Sequence, residues 1–305
     1  SVIKYHCNKQ FYSLPEEHNG ETKIILIFFT RSVCLSMTSR GLCLSIVCGR
    51  PTVNLPGFGR ILGGKPAPAG SFPWQVLLRA NGRGGGIVIG DRWIMTAAHV
   101  LDQYPWRFLR VRLETLTQSP PLEVASVHIH SDYNNVDNVN YDHDIALIHL
   151  KHPITFNAHI MPLCLPAKDA KYPTWRNGLI SGFGLKESDM STNNLMYVPL
   201  PVVNQTICRN SIDIVRKEKN LSLTDNMFCA GNFEGGKDSC MGDSGGAYVL
   251  KEGDYFWAAG IVSWGINCGE PGKYGVYTRV ANYVDWIKKT IEEEEQKTSE
   301  KHSKI

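Results

Sequence analysis

The sequence lacks a large surplus of charge of either sign. Its 32 Lys and Arg residues stand against 29 Asp and Glu residues, which leaves a formal net charge of +3. A nucleic-acid-binding protein concentrates basic charge on one face, so this balance argues against that class. The sequence also lacks the low hydrophobic content that is typical of disordered chains, because 43% of its residues are hydrophobic. A mainly disordered chain is therefore excluded.

Long apolar runs and internal repeats are lacking as well. The apolar stretch at 24–29 is far shorter than the roughly 20 residues that span a bilayer, and Arg31 and Arg40 prevent its continuation. We therefore expect no membrane segment. No similarity recurs at the periods of solenoid proteins. The chain begins at Ser1 rather than Met, and we interpret it as a processed chain or a fragment.

Cysteine, in contrast, is abundant. Nine cysteines are many for a cytosolic enzyme and indicate an oxidising compartment, so we predict a secreted, extracellular protein. Because nine is odd, one thiol is free, pairs with another chain or belongs to a truncated module. The sequences at Asn204 and Asn220 fit the acceptor pattern for N-glycosylation, and an unmodified surface loop is the alternative for each.

The chain divides into four segments by composition. The first resembles part of a sushi (complement control) module through Tyr5-His6-Cys7 and Phe11-Tyr12, but its cysteine pattern is incomplete. We predict a poorly ordered remnant there, then a linker rich in Gly and Pro, a folded domain and a charged, solvated tail. The predicted boundaries are 1–48, 49–60, 61–290 and 291–305.

Short apolar runs separated by Gly, Pro and Asn fill the third segment, and this pattern predicts an all-β sandwich or barrel. The C-terminal end of this segment has a different pattern. Val284, Ile287 and Ile291 recur at helical spacing and predict an amphipathic helix. The predicted strands are 74–78, 86–89, 93–95, 124–129, 145–150, 178–181, 196–203, 257–264 and 275–280.

Three motifs carry the chemistry. Thr96-Ala97-Ala98-His99, Asp144-Ile145-Ala146-Leu147 and Gly242-Asp243-Ser244-Gly245-Gly246 follow one another along the chain. Each alone is ordinary, but their order His, Asp, Ser is that of the chymotrypsin-type triad. From residue 61 to about 290 the chain thus resembles the trypsin/chymotrypsin-like serine proteases. The resemblance implies two six-stranded antiparallel β-barrels followed by the C-terminal helix.

The resemblance also implies the roles of the triad. His99 is expected to be the general base, Asp144 to orient and stabilise its imidazolium, and Ser244 to be the nucleophile. The backbone N–H groups of Gly242 and Ser244 are expected to form the oxyanion hole. Asp142 competes with Asp144 for the carboxylate role; we prefer Asp144 because the family motif places the acid directly before Ile-Ala-Leu.

Specificity and activation follow from the same resemblance. Asp238 occupies the floor of the primary pocket in the trypsin-like pattern, and its negative charge demands a cationic partner, Arg or Lys. Ser263, Gly265 and Gly275 are expected to line that pocket. A surface-turn acid is the alternative interpretation of Asp238.

The sequence Arg60-Ile61-Leu62-Gly63-Gly64 resembles the activation site of the family. Cleavage after Arg60 is expected to free the amino group of Ile61, which then pairs with Asp243 and orders the oxyanion loop. The uncut chain should therefore be nearly inactive.

Six cysteines fit disulfides of the family. The implied pairs are Cys48–Cys164, which ties the activation segment to the protease, Cys208–Cys229 and Cys240–Cys268. Cys43 competes with Cys48, and Cys7 and Cys34 stay unassigned. Most members of the family have a disulfide beside the catalytic His. Both of its cysteines are missing here, because no Cys precedes Gly85-Gly86 and Val100 follows His99.

This paired absence is a feature of the complement-initiating proteases. The chain is most similar to the group of subcomponent r of the first complement component, with the mannan-binding-lectin-associated proteases second. The implied partners are complement zymogens and, through upstream modules, a recognition protein. We expect no metal or cofactor in this chain and calcium only in such modules. The alternative from a different functional class is a binding protein that has the protease fold but no catalytic activity.

Overall fold

The computed structural model describes residues 16–18, 21–23, 48–53, 64–80, 82–102, 104–113, 120–135, 140–183, 195–219, 221–236, 242–266 and 268–303. In the predicted sushi-like segment it contains one antiparallel hairpin, made of β1 (Glu16–His18) and β2 (Glu21–Lys23). The rest of residues 1–47 lies outside the described residues.

The protease-like region is built from short antiparallel strands. They are β3 (Lys65–Pro66), β4 (Gln75–Arg79), β5 (Arg83–Gly90), β6 (Trp93–Thr96), β7 (Arg110–Leu113), β8 (Val124–Ile129), β9 (Ala146–Leu150), β10 (Asn177–Gly182), β11 (Met196–Val203), β12 (Met227–Ala230), β13 (Ala247–Glu252), β14 (Tyr255–Gly265) and β15 (Gly275–Arg279). The helices are α1 (Ala98–Leu101), α2 (Gln205–Lys219) and α3 (Val284–Ser303), with 3-10 turns at Trp106–Phe108 and Val280–Tyr283.

The strands form two curled sheets. The first has the order β7-β4-β5-β6-β9-β8, and a single bridge from Val111 to Leu122 links its two edges. The second has the order β10-β13-β14-β15-β12-β11, and pairing of β10 with β11 closes it into a barrel, with β3 added on β11. The prediction of two barrels is thus met by one closed six-stranded barrel and one curled, partly closed sheet.

Apolar side chains facing inward hold each sheet together. In the first sheet Met95 on β6 pairs with Leu147 on β9, and both are fully buried. Burying a side chain of this size stabilises the fold by about 1.5–3 kcal/mol. In the second sheet the aromatic rings of Phe228, Tyr248 and Tyr277 pack against one another.

Each predicted strand overlaps an observed one, but the sequence analysis did not predict β1, β2, β3, β7, β12 and β13, or helices α1 and α2. Helix α2 starts after Asn204, whose side-chain Oδ1 accepts hydrogen bonds from the N–H groups of Thr206 at 2.9 Å and Ile207 at 3.4 Å. This is an N-cap, which satisfies donors that a helix start leaves free. Cys208 and Ile212 are buried on its inner face.

The C-terminal helix is longer than predicted. Val284, Ile287 and Ile291 are buried as the spacing indicated, but the acidic stretch that we expected to be a charged, solvated tail continues the helix to Ser303. Glu294 explains part of the difference. Its side chain is only 19% exposed, accepts a hydrogen bond from Ser126 at 3.4 Å and lies 3.2 Å from Lys297.

Two predicted disulfides are present. Cys48 is joined to Cys164, so Cys43 is not its competitor, and Cys208 is joined to Cys229. Cys268 is also disulfide-bonded, whereas its predicted partner Cys240 lies outside the described residues. Within the described part of the chain, no helix is long and apolar enough to cross a membrane.

Candidate active site

His99 and Asp144 form a direct pair between the two sheets. His99 lies in α1, directly after β6, and Asp144 lies two residues before β9. The Nδ1 atom of His99 is 2.7 Å from Oδ2 of Asp144, and the backbone N–H of His99 donates to Oδ1 at 2.9 Å. Two bonds to one carboxylate fix the plane of the imidazole, with its side chain 22% exposed.

Asp144 is fully buried, and other residues supply further hydrogen bonds to it. The hydroxyl of Ser263 donates to Oδ2, and the hydroxyl of Thr278 donates to the backbone oxygen of Asp144 at 2.8 Å. A buried carboxylate without partners is costly, so the Ser263 bond stabilises the charge that His99 faces, while the Thr278 bond holds the backbone of Asp144. Ser263 was predicted to line the substrate pocket; its hydroxyl instead contacts Asp144.

The charge of Asp144 determines the protonation behaviour of His99. Burial acts to lower the pKa of His99, but the charge and hydrogen bond of Asp144, with the charge of Asp102, outweigh it and raise the pKa above 6.5. An imidazole of this kind takes up a proton readily while remaining fixed in orientation. That combination suits a general base.

The competing carboxylate has other partners. Oδ1 of Asp142 accepts hydrogen bonds from Thr224 at 2.8 Å, from Asn226 at 3.0 Å and from the N–H of His143 at 3.1 Å. Asp144 is thus the carboxylate in contact with His99.

The loop of Ser244 is joined to the strand that supports the His99 segment. The N–H of Gly85 in β5 donates to the backbone oxygen of Ser244 at 2.7 Å. The carbonyl of the same Gly85 accepts a hydrogen bond from Thr96 at 2.8 Å, and Thr96 lies three residues before His99. One residue, Gly85, therefore positions both segments, and Ser244 is partly exposed.

Glycines shape the predicted oxyanion loop. Gly242 and Gly245 have φ angles of 95° and 84°, in the region that side chains disfavour. The N–H of Gly245 donates to Val262 at 2.8 Å, which anchors the loop on β14. The carboxylate of Asp243 lies against Gly182, where an added Cβ would be 2.0 Å from Oδ1. The predicted cleavage site Arg60–Ile61 lies outside the described residues.

The predicted pocket glycines form a cross-strand pair. Gly265 ends β14 opposite Gly275, the first residue of β15, and a Cβ on Gly265 would lie 3.9 Å from the Gly275 Cα. Any side chain at either position would enter the same space. Asp238, the predicted floor of this pocket, lies outside the described residues.

The two positions of the missing disulfide are close together in space. A Cβ built on Gly84 would lie 2.9 Å from Cγ1 of Val100. The two positions that lack cysteine thus face each other, and the Val100 side chain fills the space between them.

The trypsin family profile matches residues 61–287. The chain belongs to the trypsin family. It is therefore a member of a family of serine endopeptidases, and the His99–Asp144 pair lies inside the matched region.

Among curated relatives, the chain is 35% identical over 321 residues to the complement C1r-A subcomponent of Mus musculus, covering 96% of this chain and 43% of that protein. It is 36% identical over 312 residues to the complement C1s subcomponent of Rattus norvegicus, covering 96% and 44%. The chain spans less than half the length of these relatives.

Several contacts around the His99–Asp144 pair were not predicted from the sequence. They include Thr278, the ring of Tyr141 at 5.8 Å from His99, and Trp264 stacked on Tyr141 at 6.0 Å. None belongs to the three motifs. The aromatic side chain of Trp264 beside Gly265 was the one available signal, because a pocket edge favours such residues.

Proposed function

We propose that the chain is a secreted serine endopeptidase that cleaves proteins after Arg or Lys through an acyl-enzyme. The observation that carries the proposal is the His99–Asp144 pair, with Nδ1 and Oδ2 2.7 Å apart, next to a Ser244 loop bonded to Gly85. Family membership supports it, and the chemistry needs a base, an orienting acid and an exposed hydroxyl.

In the proposed reaction, Oγ of Ser244 attacks the scissile carbonyl carbon and its proton passes to Nε2 of His99. Asp144 holds the imidazolium through Nδ1–H. The N–H groups of Gly242 and Ser244 donate to the oxyanion, and one such donor is typically worth about 10²–10³ in turnover. His99 then protonates the leaving amine, and water, activated by His99, hydrolyses the ester at Ser244.

Specificity for Arg or Lys rests on the sequence position of Asp238 and on the space at the pocket wall. The facing glycines Gly265 and Gly275 leave room for a long side chain, and a carboxylate at the floor pairs with guanidinium or ammonium. The backbone of Ser263, whose hydroxyl is used on Asp144, completes the pocket.

The enzyme is proposed to be made as a zymogen. Hydrolysis of the Arg60–Ile61 bond frees the amino group of Ile61, which pairs with Asp243 and orders the Gly242–Ser244 peptides. Supporting this, Asp243 is packed against Gly182 next to the loop that it would order. The Cys48–Cys164 disulfide keeps the preceding segment attached after the cut.

The biological setting is proposed from the relatives. Two of them are named complement C1r-A and complement C1s subcomponents, and the chain shares with the complement-initiating group the loss of the disulfide between positions 84 and 100. We place it in the initiation of the complement cascade, as a subcomponent-r-like protease that activates a downstream protease zymogen. A lectin-pathway protease is the alternative. Recognition proteins and calcium would act through upstream modules.

Labelling of the active-site serine tests the enzyme proposal. After cleavage at Arg60, a fluorophosphonate probe should label the chain, while Ser244→Ala should not be labelled and Ser211→Ala should be labelled normally. The cleaved chain should hydrolyse Arg and Lys peptides and leave Phe and Leu peptides intact. No labelling of folded, cleaved protein would favour the inactive-scaffold alternative, and an unchanged Arg preference in Asp238→Ser would reject the pocket assignment.

A further inference from the structure

Three side chains behind the His99–Asp144 pair converge without a role in the proposed reaction. His130 directly follows β8, Asp132 lies two residues later, and His143 directly precedes Asp144. One potential ligand atom from each lies within 4.8 Å of the other two. Among the residues that the structure describes, this is the one group of three His, Cys, Asp or Glu side chains arranged in this way.

The separation of these atoms is close to that of a metal site. For three atoms no more than 4.8 Å apart, a point exists within about 2.8 Å of all three. Zinc ligands lie at about 2.0–2.2 Å, so the ligands would need to close by less than about 1 Å each. The two imidazole rings are stacked, at 12° with centroids 4.9 Å apart. Because a metal lies in the plane of an imidazole that binds it, one of the two rings has to turn for both nitrogens to face the same ion.

The surrounding residues orient both rings. The N–H of Asp132 donates to Nδ1 of His130 at 3.2 Å, and the hydroxyl of Tyr283 lies 3.2 Å from Nδ1 of His143. The Trp286 ring packs on His130 with centroids 5.0 Å apart. The hydroxyl of Tyr283 can accept the Nδ1–H of His143, as outer partners of metal-binding histidines do. At His130 the Asp132 N–H occupies the lone pair of Nδ1, so a metal bound at that nitrogen would replace this hydrogen bond.

The donor set selects a class of metal. Two imidazoles and one carboxylate suit zinc and similar transition metals, whereas calcium and magnesium prefer oxygen ligands. Both histidines are half-buried and Asp132 is exposed, so an ion can enter from solvent and keep a water molecule as its fourth ligand. Asp142, with Oδ2 3.6 Å from Nε2 of His143, adds a second negative charge nearby.

We propose that His130, Asp132 and His143 form a binding site for Zn²⁺ or a similar divalent transition metal. An ion there would tie the segment after β8 to the segment before β9, which carries Asp144. This site is distinct from the triad and does not depend on the proposed protease activity. We had expected no metal from the sequence, because the ligands are spread over 14 positions without a recognisable motif.

Zinc binding is tested on the full chain carrying Ser244→Ala, which prevents self-digestion. Titration with ZnCl₂ against a chromophoric chelator should show a zinc site. Asp132→Asn and His143→Asn should each weaken its affinity by at least about tenfold, because loss of even an outer partner of a metal ligand costs about that much. His152→Asn, which changes an exposed histidine outside the group, should leave the affinity unchanged. Zinc should also raise the Tm of the parent chain.

Folding of each variant is checked by circular dichroism and by its Tm without zinc; Asp132→Asn is the safer variant because its side chain is exposed. X-ray absorption of the zinc-loaded parent should show nitrogen and oxygen neighbours, including imidazoles, and no sulfur. The proposal is wrong if the parent binds no zinc, or if either folded variant, Asp132→Asn or His143→Asn, retains the parent affinity.

Discussion

The backbone N–H of Gly85 donates to the carbonyl oxygen of Ser244 at 2.7 Å. This bond joins the first sheet to the loop of the proposed nucleophile. A Cβ added to Gly85 would lie 2.8 Å from the Cα and N atoms of Gly246, closer than real Cβ contacts come. Only glycine therefore allows β5 to approach the loop at this distance.

Gly85→Ala should reduce protease activity without unfolding the chain. The added methyl group has to push the loop of Gly246 and Ser244 away, and a shift of about 1 Å in a catalytic group can cost about 10²-fold. Such overpacking also typically destabilises by about 1–3 kcal/mol. Hydrolysis of an Arg peptide and the Tm measure both effects. Gly82→Ala, whose Cβ would meet nothing within 4 Å, should retain activity, and equal activity of both variants would contradict the role of the contact.

The pH dependence should follow the protonation of His99. The base works as neutral imidazole, so kcat/KM should fall as the pH drops through the raised pKa of His99. In Asp144→Asn the charge that raises the pKa is gone while burial still lowers it, so the acidic limb should move to lower pH. Turnover should also fall by about 10⁴-fold, as expected for an amide at this position in a triad.

Asp142→Asn is the matched control for this experiment. It removes a carboxylate from the same loop, but Asp142 bonds to Thr224 and Asn226 rather than to His99. The acidic limb should stay in place in this variant. If the acidic limb moved in Asp142→Asn and not in Asp144→Asn, Asp142 rather than Asp144 would be the carboxylate that acts on His99.

The absent disulfide should be restorable. Because Gly84 and Val100 face each other, Gly84→Cys combined with Val100→Cys should bring two sulfur atoms within bonding reach. Closing a loop of about 15 residues stabilises by about 3 kcal/mol in the chain-entropy model, so the oxidised double variant should have a higher Tm than its reduced form. Two free thiols after mild oxidation, detected by mass spectrometry after alkylation, would show that the facing arrangement is wrong.

Cleavage at Arg60 should leave two chains held by one disulfide. Cys48 is bonded to Cys164, so the cleaved protein should migrate as one species without reductant and as two with reductant. In Cys48→Ser the fragments should separate without reductant. Arg60→Gln should fold but stay uncut and inactive, and full activity of this variant would rule out the zymogen switch.

Much of the fold was predictable because its signals are local. Runs such as 124–129 and 196–203 became β8 and β11 with unchanged bounds, since a continuous or alternating apolar pattern suits a strand buried in a sheet. Helix α2 was not predicted. Its apolar residues Cys208, Ile212 and Val215 do recur at helical spacing, so a periodic signal was present. Its start at the Asn204 cap was interpreted only as a glycosylation pattern.

The motifs alone determined which residues are candidates for the triad, because His99, Asp144 and Ser244 each lie in a short pattern with a specific order. Sequence could not decide what Asp144 contacts besides His99, since Ser263 lies 119 positions away. It also could not show that His130 and His143 stack, or that Gly84 faces Val100. Those contacts arise only when separate strands curl into two sheets that meet, because side-chain neighbours across a barrel are set by strand register and not by distance along the chain.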